Sequence, residues 1–205
     1  MGPGCVLLVE DDPSLRDAIE DLIRSIGLEV RSYGSVADFL QAVPPDVPCC
    51  LVADVRLPGQ SGLDLQALVA GRPQAPPIVF VTGHGDVMMS VRAMKAGAIE
   101  FLQKPFRDQD LLDAIQLGID RDRARRAESA SMAGFRERRE SLTPREREVM
   151  ALVVKGRLNK QIAGDMGLSE VTVKAHRGQV MRKMGVHSLA DLVRIADRLD
   201  EAGGA

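Results

Sequence analysis

Apolar and polar positions along the first 120 residues follow two alternating patterns. Short, nearly continuous apolar runs (Cys5–Val9, Leu28–Tyr33, Cys49–Ala53, Ile78–Val81 and Ile99–Leu102) are separated by longer stretches with helical spacing. In Pro13–Ile26, the residues Leu15, Ile19, Leu22, Ile23 and Ile26 fall on one helical face, and Gly27 supplies the stop. The same spacing predicts helices over Val36–Val43, Leu63–Ala70, Val87–Ala96 and Asp108–Arg123. Strands that are apolar throughout are buried on both faces. Five such strands alternating with helices predict a doubly wound α/β fold around a five-stranded parallel sheet.

From residue 124 the pattern changes. Arg, Glu, Ser and Ala dominate around Gly134, which predicts a linker over 123–140, helical at its start. From Leu142 onward there is no strand signal. Thr143-Pro144-Arg145-Glu146 is a helix start with a capping residue, a first-turn proline and a reciprocal glutamate. Its helix reaches Lys155, before Gly156. Asn159 is the expected cap of a helix to Met166, and Ser169 of a third to Met184. A fourth spans about Leu189–Leu199. Four short helices with a tight glycine-containing turn between the second and third predict an all-α helix-turn-helix domain over 141–205, behind an α/β domain over 1–122.

Charge supports two tasks on one chain. The 205 residues carry a net charge of −2, but residues 1–120 hold 9 Lys and Arg against 17 Asp and Glu. Residues 121–140 hold 7 against 4, and residues 141–205 hold 11 against 8. An acidic front half suits phosphate backbones poorly, whereas the basic back half suits them. The three cysteines (Cys5, Cys49 and Cys50) have no disulfide or metal spacing and read as reduced core residues. No secretory leader is evident, and no uncharged apolar run approaches the ~20 residues that span a bilayer. A cytoplasmic protein with no membrane partner is expected.

Candidate chemistry lies where the strands end. The first ends in Glu10, Asp11 and Asp12, the third in Asp54, the fourth in Thr82, and the fifth near Lys104-Pro105. In open α/β sheets the functional crevice lies at those carboxyl ends. Crowded carboxylates stay ionised only around a cation, and hard oxygen donors suit Mg²⁺. A hydroxyl and an ammonium at the same edge can meet phosphoryl oxygens. The set fits reception of a phosphoryl group by an Asp nucleophile.

These residues resemble the receiver domains of two-component response regulators across residues 4–122, a CheY-like fold. The matching set is Val9-Glu10-Asp11-Asp12, Asp54 with Pro58-Gly59 and Ser61-Gly62, Thr82-Gly83, and Lys104-Pro105-Phe106. The resemblance implies that Asp54 is the phosphoacceptor and that Thr82 and Lys104 contact the phosphoryl group. It implies Mg²⁺ held by Asp11, Asp54 and the Arg56 carbonyl, with Glu10 acting through water. Phe101 stands at the aromatic switch position, and the Lys104-Pro105 bond is expected to be cis. The stretch Gly83-His84-Gly85-Asp86 with Val91–Ala98 is similar to the FixJ subgroup. His84 has no partner at ligand spacing and reads as a loop residue. Met88, Met89 and Met94 read as packing residues.

The helical domain resembles the LuxR-type helix-turn-helix family. The matching segments are Leu142–Val149, Asn159-Lys160-Gln161-Ile162-Ala163, Thr172-Val173-Lys174-Ala175-His176 and Lys183-Met184-Gly185. Lys174, Arg177, Arg182 and Lys183 against Glu170 make its third helix basic. In the family that helix enters the major groove. Lys174 and Ala175 then lie near base edges, and Thr172, His176, Arg177, Lys160 and Asn159 are candidates for phosphate or groove-edge contacts. Gly178 stands where the family often reads a base.

Together the two resemblances place the chain with the FixJ/NarL class. A sensor histidine kinase, double-stranded DNA and RNA polymerase are the implied partners, with homodimerisation on phosphorylation. Enzymes of the haloacid-dehalogenase type carry a second acid two residues after the nucleophile. Here that residue is Arg56, so no enzyme is expected. A phosphate-independent regulator would lack Asp54, Thr82 or Lys104, and all three are present.

Overall fold

The computed structural model describes residues 4–72, 74–83 and 87–201. Two compact units divide between Arg126 and Ala127. The first contains β1 (Cys5–Val9), α1 (Pro13–Ser25), β2 (Glu29–Tyr33), α2 (Val36–Gln41), β3 (Cys49–Asp54), α3 (Gly62–Ala70), β4 (Ile78–Thr82), α4 (Val87–Lys95) and β5 (Glu100–Gln103). The helix α5 (Asp108–Glu140) runs through the whole stretch expected to be linker.

The strands form one parallel sheet in the order β2-β1-β3-β4-β5. Every residue of β1, β3 and β4 is buried, whereas the edge strands β2 and β5 are partly exposed. Alternate side chains of each central strand face opposite layers. Leu7, Leu51 and Phe80 pack with Phe39 of α2, Leu65 and Val69 of α3 and Ala93 of α4. Leu8, Val52 and Val79 pack with Ile19 and Ile23 of α1 and with Leu111, Ile115 and Ile119 of α5. The three thiols lie in these layers as free, buried cysteines.

Two expectations need correction here. The helix α2 stops at Gln41 rather than Val43, and Val43 is exposed. Val43 precedes Pro44, whose ring disfavours helical backbone in the residue before it. Of the α4 methionines only Met89 packs inward; Met88 and Met94 are 69% and 43% exposed. The helix presents only Ala93 fully to the core, so the positions around it stay in solvent.

The second unit contains α6 (Pro144–Val154), α7 (Asn159–Met166), α8 (Glu170–Met184) and α9 (Leu189–Glu201). Val149, Val153, Ile162, Val173, Val180, Met184, Leu192 and Ala196 form its core, joined by Met132 from the end of α5. Thr143 and Glu146 make the expected capping box on α6, and Ser169 caps α8. Asn159, however, is the first residue of α7 and not its cap. Leu158 holds the cap position, and its N–H donates to Gln161 Oε1 at 2.9 Å.

Two buried carboxylates tie elements together within their own units. Asp122 of α5 is wholly buried; its Oδ2 accepts from the Cys49 backbone N–H at 2.9 Å and from Arg126 Nε at 2.8 Å, and Arg125 pairs with its Oδ1. The clamp thus fixes α5 to the first residue of β3. Glu146 of α6 accepts from Lys183 Nζ of α8 at 2.7 Å and from the Thr143 N–H at 2.8 Å. The Lys183 bond, then the Thr143 N–H, holds its carboxyl below the usual glutamate value.

Replacing Asp122 with Ala leaves the Cys49 N–H unsatisfied and removes the buried carboxylate that Arg125 and Arg126 share. A loss of about 2 kcal/mol is expected in urea unfolding of the first unit, at the low end because both arginines reach water. No loss would show that the clamp does not stabilise the fold. For Glu146, a carboxyl lowered by folding adds stability above its unfolded value and loses it as pH falls through the folded one. Amide protection factors at α6 and α8, with exchange rates corrected for the intrinsic rate at each pH, are therefore expected to fall as pH drops below about 4.5 in the native chain. Glu146→Gln should flatten that dependence, and an unaltered pH profile would exclude the pair as its cause.

Candidate functional site

The parallel register brings the carboxyl ends of β1, β3, β4 and β5 to one edge. Glu10 follows β1 and Asp54 ends β3, and both are buried; Asp11 is exposed. Each of the three places a carboxylate oxygen within 4.8 Å of the others. Lys104, just past β5, donates from Nζ to Glu10 Oε2 at 2.8 Å and to Asp54 Oδ2 at 2.7 Å. The other Asp54 oxygen accepts from the Arg56 N–H at 2.8 Å. Thr82, at the end of β4, is fully buried, and its carbonyl accepts from the Lys104 N–H at 2.8 Å. The Lys104-Pro105 bond is cis.

Three carboxylates face one ammonium in this pocket. Burial pushes the Glu10 carboxyl up, and the Lys104 bond offsets this only in part. Burial opposes the Lys104 charge, but its bonds to Asp54 and Glu10 outweigh that and raise its pKa. The pocket is thus left with excess negative charge and hard oxygen donors. A small divalent cation fits that donor set.

Asp12 stands apart from the other acids of its run. Its Oδ1 accepts from the N–H groups of Ser14 and Leu15 at 2.9 and 3.2 Å, capping α1. Phe101 is half-buried and faces Phe80 with ring centroids 6.3 Å apart. Gly62 starts α3 against the end of β3, where a Cβ would collide with the Asp54 carbonyl oxygen. Arg16 donates from Nη1 to the Glu10 carbonyl at 2.8 Å and so braces the acidic loop. Sequence reading did not single out Arg16, because a bond to a main-chain carbonyl six residues away leaves no side-chain pattern. His84 lies outside the described residues.

In the second unit, Val173, Val180 and Met184 of α8 face the core. The opposite stripe exposes Val171, Lys174, Ala175, Gly178 and Arg182, at helical spacing. Val171, 79% exposed, was missing from the sequence candidates although it lies three residues before Lys174. Lys160 of α7 is exposed, and Thr172 and His176 are half-buried. The Thr172 hydroxyl shares a 2.8 Å hydrogen bond with that of Ser169. Arg177 donates to Asn159 Oδ1 at 2.7 Å, joining α8 to α7. Lys183 belongs to the internal pair with Glu146, so the presented charge of α8 is smaller than its composition suggests.

Comparison with known proteins matches both units. Residues 6–116 fit the response regulator receiver domain, and residues 140–196 fit the luxR family of bacterial regulatory proteins. Nodulation protein W of Bradyrhizobium diazoefficiens is 53% identical over 194 residues, covering 95% of this chain and 86% of that protein. The response regulator TodT of Pseudomonas putida F1 is 42% identical over 197 residues, covering 96% and 87%. Among solved structures, the response regulator StyR aligns with a TM-score of 0.82 at 45% identity, covering 96% of this chain and all of that one. Full-length FixJ from B. japonicum aligns with a TM-score of 0.55 at 37% identity, covering 98% and 99%. With an acidic pocket on a five-stranded parallel sheet and a helical domain of the luxR type behind it, the chain belongs to the FixJ-like two-component response regulators, a family of DNA-binding transcriptional regulators.

Proposed function

We propose that this protein accepts a phosphoryl group on Asp54 from a sensor histidine kinase, dimerises, and binds a promoter. The observation that carries the reading is the meeting of Asp54, Glu10, Asp11 and Lys104 at one sheet edge, with Thr82 at the end of the neighbouring strand. An Asp54 carboxylate oxygen attacks phosphorus, the P–N bond to the kinase imidazole breaks, and an acyl phosphate forms. Lys104 moves from Asp54 Oδ2 to a phosphoryl oxygen, and Thr82 donates its hydroxyl to another. Asp11, Asp54 and the Arg56 carbonyl would hold Mg²⁺, with Glu10 acting through water. An ion held there would supply positive charge to the phosphoryl oxygens.

Movement of Thr82 toward the phosphoryl group frees space into which Phe101 turns, and the faces of α4, β5 and α5 change with it. This is a population shift driven by a local charge event. Exposed Val87, Met88, Val91 and Met94 of α4 and Leu117 of α5 support an apolar dimer surface there. In the second unit, α8 enters the major groove with Lys174 and Ala175 at base edges, while Lys160, Thr172 and His176 lie near phosphates. Val171 joins the base-facing stripe as an apolar contact. Arg177 positions α7 through Asn159 and reaches the backbone from that fixed place. Dimerisation through α9 matches two half-sites, and the bound dimer recruits RNA polymerase to activate transcription.

Sedimentation with Mg²⁺, with and without beryllofluoride as phosphoryl mimic, is expected to show a monomer-to-dimer shift that Asp54→Asn abolishes. A shift that persists in the variant would overturn Asp54 as the acceptor. Lys174→Ala should weaken specific DNA binding by about 1–3 kcal/mol and relax base preference at one position. Lys160→Ala should weaken all sequences alike and reduce the salt slope by about one. Equal losses on specific and random DNA for Lys174→Ala would remove it from base reading.

A further inference from the structure

Among the described residues, the two ends of the fourth helix of the first unit differ in exposure. Of α4, just Ala93 is fully buried; at its start Val87 and Met88 are 77% and 69% exposed, while Met89 packs against the core. That more exposed end follows Thr82-Gly83 along the chain. The other end is closed by the Ala96 N–H on Arg92 O, the Gly97 N–H on Met94 O and the Ala98 N–H on Ala93 O, at 3.0, 3.0 and 3.1 Å. There a side chain from a different element joins it. Gln66 of α3, 6% exposed, donates from Nε2 to the carbonyls of Ala93 and Ala96, both at 3.2 Å.

The post on which Gln66 stands is rigid. Leu65 and Val69 of α3 are buried in the core, and Gly62 is pressed against the Asp54 main chain, its N–H donating to Val55 O at 2.9 Å. One amide nitrogen bonded to two carbonyls of a helix end fixes that end in place. It still permits the helix axis to tilt about it. Buried bonds of this kind are directional and costly to leave unmade. An apolar side chain of similar length would preserve the packing without the two donors.

We infer that Gln66 is a positioning residue for the phosphorylation switch, the pivot that holds the C-terminal end of α4 while its N-terminal end moves. The inference rests on Asp54 being the phosphoacceptor. A change at Thr82 becomes a defined tilt of α4, and hence a defined dimer surface, only if the far end stays fixed. Without the pivot the same change disperses into disordered motion of a weakly seated helix.

The test uses the full-length chain with Mg²⁺ and beryllofluoride, comparing Gln66→Met with the native protein. The ratio of dimer dissociation constants without and with the mimic is expected to fall at least about tenfold in the variant. Beryllofluoride binding at Asp54 of the monomer, at concentrations below dimerisation, should be unchanged, a combination that mere destabilisation does not produce. A full dimerisation response in Gln66→Met, even with a lowered Tm, overturns the pivot and leaves the phosphoacceptor reading intact. No response in the native chain overturns that reading, and the pivot with it. Amide exchange in the native chain gives a check that needs no variant. The N–H groups of Ala96, Gly97 and Ala98 should keep their protection on adding the mimic, while those of the first turns of α4 change. Equal changes at both ends would overturn the pivot.

Discussion

Buried carboxylates at a sheet edge demand a positive partner, and the architecture of the first unit follows from that demand. Glu10 and Asp54 sit on neighbouring strands, and the 2.8 and 2.7 Å bonds from Lys104 bind both. The strand before Lys104 lies on the far side of β4 in the order β1-β3-β4-β5, and its ammonium still reaches both carboxylates. The single ammonium leaves the pocket negative, which favours a divalent cation.

The second unit distributes its charges by the same logic toward a different end. Lys183 and Arg177 hold helices to one another, through Glu146 and Asn159. Lys174 and Arg182 remain on the exposed stripe of α8. A helix that reads DNA needs a fixed backbone before its side chains can discriminate bases, because contacts to a moving scaffold lose their geometry. Lys183 and Arg177 thus brace the scaffold that carries the exposed stripe of α8.

Much of this was legible in order along the chain. Apolar runs at β1, β3 and β4 gave the buried strands, and the acids, Thr82 and Lys104 that terminate the runs marked the edge where they meet. The capping boxes at Thr143 and the glycines at 156, 167 and 185 fixed the ends of the short helices. What misled was local plausibility. Asn159 is a good helix cap by type, yet its oxygen is taken by Arg177, eighteen residues away. The α4 methionines are core residues by type, yet of the three only Met89 packs against the core.

The sequence by itself therefore determined the element types, their order, the two-domain plan and which acids, hydroxyl and lysine end the strands. These depend on period, capping and composition, all of which act over a few residues. Only the tertiary structure decided which charges meet. It paired Lys104 with carboxylates fifty and ninety-four residues distant, set Asp122 beneath the start of β3, and gave Gln66 two carbonyls on a neighbouring helix. Such pairings arise from long-range packing, and hydrogen-bond geometry is satisfied or lost within a fraction of an ångström, so no local pattern encodes them.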